Sequence, residues 1–249
     1  MSHREYFYVE PGFISPPLVE IKGSEFKHLA RVLRKNVRDV VEIVDGVGNL
    51  YTAVLTRMET NFAQAEIQKR VRFAGEPNIK LTLAQAIPRN ARFELVIEKG
   101  TELGVSSFIP TLCEFSLIKE SETKGTRWQN IAIAAMKQCG RSVLPAIQKP
   151  QPIQDVITQK SVLTLGLFAH PAHGAPGLSA LIAELKGKSH HLKSALIAIG
   201  PEGGFSQDEV KLARSNGFYN FTLGPRRLRS ETAGIAAAAL FMELMGELS

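Results

Sequence analysis

Cysteine is nearly absent from this chain. There are two in 249 residues, Cys113 and Cys139, too far apart for a CxxC pair, which excludes a disulfide framework and a zinc ribbon. No apolar run approaches the length of a membrane span, and the opening MSHREYFYVEPGFI carries charges where a secretory leader needs an apolar stretch. The expectation is a soluble cytoplasmic protein. Nucleotide fingerprints are missing too: GPEGG at 200–204 is not GxGxxG, and Gly187-Lys188-Ser189 lacks the earlier glycine of a P-loop, since Ile182 stands there. His170 and His173 flank a Pro-Ala pair with no third ligand at a usual spacing, so no metal is expected.

What the chain does have is ordinary globular material, 44% hydrophobic and 22% charged, enough for one large domain or two modest ones, of which two is the preferred reading. A formal charge of +6 raises the odds of a polyanionic partner, because lysine and arginine gain affinity by releasing counterions from phosphates.

Residues 1–73 read as a small β-rich unit. EYFYVE, DVVEIVDG and NLYTAVLTRM are strand-like, with Gly46 and Gly48 turning between the last two. One helix is expected inside it, SEFKHLARVLRKNVRD, capped at Ser24, with Phe26, Ala30, Leu33 and Val37 on an apolar side. Lys27, Arg31, Arg34 and Arg38 then share an adjacent arc without interleaved acids. That arc is either a solvated face or a seat for a phosphate backbone.

Gly75 to Pro77 make a linker. Over 78–249 the rhythm changes to apolar strands alternating with helices, beginning with KLTLAQAI and ARFELVIEKGTELG, which implies a mostly parallel sheet covered on both sides. The stretch ALIAIGPEGGFSQDEV reads as strand, glycine loop and helix, with Ser206 and Glu209 at capping-box spacing. Such a loop is either a ligand site or a plain turn. Three strand ends, LFAHPAHG, IGPEGGFS and TLGPRRLRSETAG, carry unusual sequence and are expected to converge at the carboxyl edge of the sheet, where ligands of open α/β sheets sit. In the last, Arg226, Arg227 and Arg229 crowd a helix entrance with Ser230 as expected N-cap and Glu231 in the first turn.

IAIGPEGGFSQDEV followed by LGPRRLRSETAGIAAAAL resembles the paired carboxy-terminal motifs of the SPOUT class of S-adenosylmethionine-dependent RNA methyltransferases, and within it the family that methylates N3 of a uridine in 16S ribosomal RNA. HLARVLR, the DGVGNLY turn, EKGTELGV and QCGR extend the likeness over nearly the whole chain. The resemblance implies a PUA-like RNA-binding β-barrel over 1–73 and an α/β methyltransferase domain with a trefoil knot and parallel sheet over 78–249. It also implies a homodimer whose sites draw on both chains, acting on 16S ribosomal RNA in the assembled small subunit, at a uridine expected to be U1498.

Carried over by motif, the donor site falls to Phe168, Ala169 and His170, to Ile199, Gly200, Pro201, Glu202 and Gly203, and to Leu223, Gly224 and Leu228. For chemistry at N3, Arg229 is expected to stabilise the uridine anion or orient its carbonyls, with Glu202 or Glu231 handling the proton or positioning Arg229; the alternative for Arg229 is a structural salt bridge to one of those glutamates. Lys27, Arg31, Arg34, Lys35, Arg38, Arg141, Arg226 and Arg227 are expected on RNA. The sequence departs from the family pattern at Arg227, where an aliphatic residue is usual, at Ser230 for threonine, and at Lys137 for glutamate. Two rivals stand beside this reading. A non-catalytic RNA-binding or ribosome assembly protein would show no donor affinity, and a nucleotide-dependent α/β enzyme would need the phosphate fingerprint the chain lacks.

Overall fold

The computed structural model describes residues 5–88, 92–116, 125–162, 164–171, 174–188 and 192–248. The chain divides into two units: Met1–Glu76 with Ile133–Leu144, and Pro77–Ala132 with Pro145–Ser249. The first therefore recruits a distant segment that the contiguous limits 1–73 and 78–249 did not foresee.

The first unit contains β1 (Tyr6–Tyr8), β2 (Ile14–Ser15), β3 (Leu18–Lys22), α1 (Gly23–Lys27), β4 (Val40–Val44), β5 (Asn49–Met58) and β6 (Phe62–Arg72). They form a six-stranded sheet in the order β1-β4-β5-β6-β3-β2, antiparallel except for β1 on β4. Its edges, β1 and β2, are not paired to each other among the described residues, so the expected barrel is present as a six-stranded sheet without a closing ladder there. Along β5 buried and half-buried positions alternate, as a two-sided strand requires. Phe7, Ile21, Leu29, Ile43, Ala53 and Leu55 fill the core on the inner side.

The long helix expected over 24–39 is corrected. α1 ends at Lys27 and continues only as one wider π-type turn over His28–Val32. Lys22 rather than Ser24 caps it, without a side-chain bond. Arg34 then adopts a left-handed φ of 51°, and the Lys35 N–H reaches back to the Leu29 carbonyl at 3.1 Å. Arg38 is left-handed too, and Val37 is exposed rather than apolar-facing. No glycine marks this stop, which is why periodicity ran past it. Lys137, unusual against the family pattern, has a local reason: its ammonium donates to Glu25 Oε1 at 2.6 Å, while Glu25 Oε2 accepts from the Tyr8 N–H.

The second unit runs β7 (Lys80–Ala86), α2 (Arg92–Glu102), β8 (Ser107–Leu112), α3 (Gly125–Cys139, whose second half belongs to the first unit), β9 (Ala146–Ile147), β10 (Gln151–Pro152), α4 (Ile153–Thr158), β11 (Leu165–Ala169), α5 (Leu178–Lys188), β12 (Ser194–Ile199), α6 (Gln207–Ser215), β13 (Phe218–Phe221) and α7 (Ser230–Leu244). The strands are all parallel, in the order β10-β8-β7-β12-β11-β13, with β9 on β8. β12 is buried from Ala195 to Ile199, because a parallel strand between neighbours has no solvent face. α2, α5 and α7 pack together with α7 on β7 and β12, while α4 and α6 pack together beside β8 and β13. Among the described residues no helix is long and apolar enough to cross a membrane.

Candidate functional site

Three strands stop side by side, β12 at Ile199, β11 at Ala169 and β13 at Phe221, and the three loops beyond them enclose a cavity of about 510 Å³. The first loop is anchored at its far end by the expected capping box. The Glu209 N–H donates to Ser206 Oγ at 3.3 Å, and the Ser206 N–H donates to Glu209 Oε2 at 2.8 Å. Glu209 Oε1 also accepts the Glu114 N–H at 2.8 Å, so one buried carboxylate fixes two loops. Ile199, Gly200, Pro201, Glu202 and Gly203 line the cavity from this side.

Two of the glycines are also required by neighbouring side chains. A Cβ on Gly200 would lie 3.0 Å from the Phe205 ring, and one on Gly203 would lie 2.9 Å from Phe115 Cβ. Phe205 in turn stacks on Phe168, with ring centroids 4.0 Å apart. Phe168, which the motif placed at the donor, is 2% exposed, belongs to the core between the sheet and α4 and α6, and is not on the cavity wall.

From β11, Ala169 and His170 do line it. The His170 N–H bonds to the Phe221 carbonyl at 3.1 Å, and burial, reinforced by the Arg214 charge, holds its imidazole pKa below the usual value. His173 lies outside the described residues, and among those described no group of three or more ligating side chains could hold a metal.

Leu223, Gly224 and Leu228 complete the wall, together with Arg226 and Arg227. Gly224 has a φ of +102°, which a side chain would resist, so the turn that swings the loop over the cavity needs glycine. Arg227 Nη2 donates to the Glu202 carbonyl at 3.0 Å, tying the third loop to the first and accounting for an arginine where an aliphatic residue is usual.

Ser230 is not the N-cap. Arg229 holds that position with extended backbone, and Ser230 opens the helix. Freed from capping, the Ser230 hydroxyl donates to the Gly200 carbonyl at 2.7 Å and accepts from Gln85 Nε2 at 2.7 Å. Gln85 is fully buried on β7, and its Oε1 faces Gly234, where a Cβ would stand only 2.1 Å away. This chain from β7 to the glycine loop escaped the sequence reading, although a lone glutamine inside the apolar KLTLAQAI was a signal that a buried amide needed partners.

The expected catalytic trio is dispersed. Glu202 lines the cavity, whereas Arg229 is exposed and outside its wall. Glu231 is buried, with Arg92 Nη1 3.3 Å from its Oε1, and also lies outside the wall. That ion pair ties the first turn of α7 to α2. Of the expected RNA contacts, Lys27, Arg31, Arg34 and Arg38 are exposed and Lys35 is half-buried. Arg141 is withdrawn: it is 3% exposed in the first unit, its guanidinium on the Glu76 carboxylate at 2.8 Å.

A family model described as RNA methyltransferase domain matches residues 75–242, and one described as RNA methyltransferase PUA domain matches residues 21–68. The chain is 32% identical over 238 residues to the ribosomal RNA small subunit methyltransferase E of a Synechocystis strain, covering 95% of this chain and 77% of that one. The chain belongs to that family. The Bacillus subtilis member is 28% identical, over 89% of this chain and 88% of its own. Among solved structures, the family member of Neisseria gonorrhoeae bound to S-adenosyl methionine superposes with a TM-score of 0.84 at 29% identity, covering 97% and 98% of the two chains. A Legionella pneumophila methyltransferase in complex with the same cofactor gives 0.81 at 30% identity, over 96% and 97%.

Proposed function

We propose that this chain methylates N3 of a uridine in 16S ribosomal RNA, taking the methyl group from S-adenosylmethionine held in the cavity at the ends of β11, β12 and β13. The observation that carries this reading is the convergence of the three motif-bearing loops on one cavity of about 510 Å³, in a chain of this family. The volume suits a ligand of that size, and apolar walls with a few polar groups are what such a ligand needs. Ile199, Leu223 and Leu228 supply apolar surface for an adenine, and the Glu202 carboxylate offers a counter-charge to a sulfonium. On this reading the loops form the SPOUT knot, and the working unit is a homodimer in the cytoplasm acting on the assembled small subunit.

When bound, the donor supplies a sulfonium methyl group, whose bond to sulfur breaks as the bond to N3 forms. The chain's own part is placement and charge. Glu202, on the cavity wall, accepts the N3 proton. Arg229, exposed at the mouth of α7, stabilises the negative charge that this leaves on the base. N3 lies on the pairing edge, so the uridine must be unpaired before it enters.

Calorimetric titration of S-adenosylmethionine tests the site. Gly203→Val is a poor probe, because the added Cβ would strike Phe115. Ala233→Leu is better, since Ala233 lines the cavity from the first turn of α7 and leucine suits a helix. Binding by the wild type that this variant loses supports the reading. A folded wild type that binds no donor refutes it and favours an RNA-binding protein without chemistry.

A further inference from the structure

Phe73 is 62% exposed and holds a φ of +52°, a left-handed conformation that phenylalanine resists and glycine or asparagine tolerates. Its backbone is locked there. The Phe73 N–H donates to the Gly48 carbonyl at 2.7 Å, and the Phe73 carbonyl accepts from the Glu76 N–H at 3.2 Å. The ring lies against the bare backbone of Gly48, where a Cβ would stand 2.8 Å from Phe73 Cε1. A turn that needs a left-handed residue thus carries a large aromatic whose main exposure is to solvent.

The surroundings are cationic. Lys69, Arg70 and Arg72 on β6 lead directly into Phe73 and are all exposed. Arg72 stands opposite Asn49 in register, and Arg70 Nε donates to Asn49 Oδ1 at 2.7 Å, which pre-orients its guanidinium. Arg72 and Lys69 form no ion pair with any described residue. A flat ring backed by the main chain, at the end of a strand carrying exposed cations, is an arrangement that binds single-stranded nucleic acid, with a base on the ring and phosphates on the cations. We propose that Phe73 is a stacking platform for an unpaired base of the RNA substrate, with Arg70 and Arg72 on the adjacent backbone. The proposal deepens the proposed function and rests on its reading that the chain binds ribosomal RNA. It also puts the first unit's principal RNA contact at the end of β6 rather than on the broken helix at α1.

The test uses fluorescence anisotropy with a labelled single-stranded RNA, on the wild type, Phe73→Asn and Phe73→Trp. Asparagine suits the left-handed backbone, so Phe73→Asn is expected to keep or raise the melting temperature while weakening RNA binding roughly 5- to 100-fold, the range of one lost stacked base. Phe73→Trp should bind within about threefold of wild type, given that every base stacks on an indole as on a phenyl ring. The chain's own single tryptophan, Trp128, is buried, so quenching of the introduced indole by RNA reports stacking directly. The proposal is overturned if Phe73→Asn binds RNA as wild type does, if stability and binding fall together, or if RNA leaves the indole emission unchanged. Sedimentation of the same variant covers the remaining occupant: loss of a wild-type dimer would make the ring a contact between two copies and also overturn it. A wild type that binds no RNA refutes the RNA reading itself, a different result from a variant that binds normally.

Discussion

Two glycine turns follow buried strands in this chain, residues 45–49 after β4 and residues 200–206 after β12, and they look alike as sequence. In the first, the turn's own acidic side chain, Asp45, holds the turn together. It accepts the Val47 N–H at 3.0 Å, the Asn49 N–H at 2.9 Å and the Asn49 side-chain amide, and Tyr51 Oη lies 3.5 Å away. The main chain of that turn is closed off as well: the Gly48 N–H donates to the Ser142 carbonyl at 3.0 Å, and the Gly46 and Gly48 carbonyls accept from the Leu144 and Phe73 N–H groups at 2.9 and 2.7 Å. In the second, Glu202 spends no side-chain bond on the loop, and stability comes from outside, through Ser230, Gln85 and Arg227. Its inner surface is left facing a cavity. Glycine content does not separate a structural turn from a binding loop; the destination of the polar groups does.

The largest effect expected is on the open loop. Ala233→Leu should weaken donor binding by at least 100-fold, by calorimetry, with the melting temperature within a few degrees of wild type, since the side chain grows into a cavity rather than a core. Next in size is the closed turn. Asp45→Ala removes a buried carboxylate and leaves its backbone donors unpaired, so a loss of about 3–5 kcal/mol is expected in chemical denaturation, while the folded fraction binds donor normally. An Asp45→Ala protein of unchanged stability would erase the contrast between the loops.

Ser230→Ala tests the outside clasp. It takes the hydroxyl donor from the Gly200 carbonyl and leaves the Gln85 amide only its longer bonds to the Ala86 and Ser230 carbonyls, at about 1–3 kcal/mol, and should raise the KM for the donor more than it lowers kcat. Ser230→Thr, which keeps the hydroxyl, should recover most of the affinity. The smallest effect belongs to His170. Its folded-state pKa lies below the unfolded 6.5, so its contribution to stability is fully present above that pH and is lost as the pH falls through the folded value. A pH series of melting temperatures should therefore show a decline below 6.5 that is shallower in His170→Asn.

The sequence reading succeeded where one local rule decided the matter. Apolar strands alternating with helices gave the parallel sheet, and Ser206 with Glu209 gave the cap of α6, because both signals are short-range. It failed where a longer-range partner overrode the local pattern. Arg34 and Arg38 stop the α1 segment in a conformation that ordinarily calls for glycine, so periodicity had nothing to detect. β6 was missed because its outer half, Gln68 to Arg72, is charged and exposed. Arg141 looked like an RNA contact until Glu76, 65 residues away in sequence, was found holding it. The SPOUT and PUA readings came from resemblance to a family; strand and helix periodicity alone would have stopped at an α/β domain beside a small β unit.

The open loop is proposed to deliver a methyl group to RNA. The most direct test incubates the protein with unmodified small ribosomal subunits and isotopically labelled S-adenosylmethionine, then locates the label by mass spectrometry of nuclease fragments. The expected product is 3-methyluridine at one position of 16S ribosomal RNA, formed by the wild type and not by Ala233→Leu. Donor binding with no labelled RNA, or label on a different atom or another class of RNA, would contradict it.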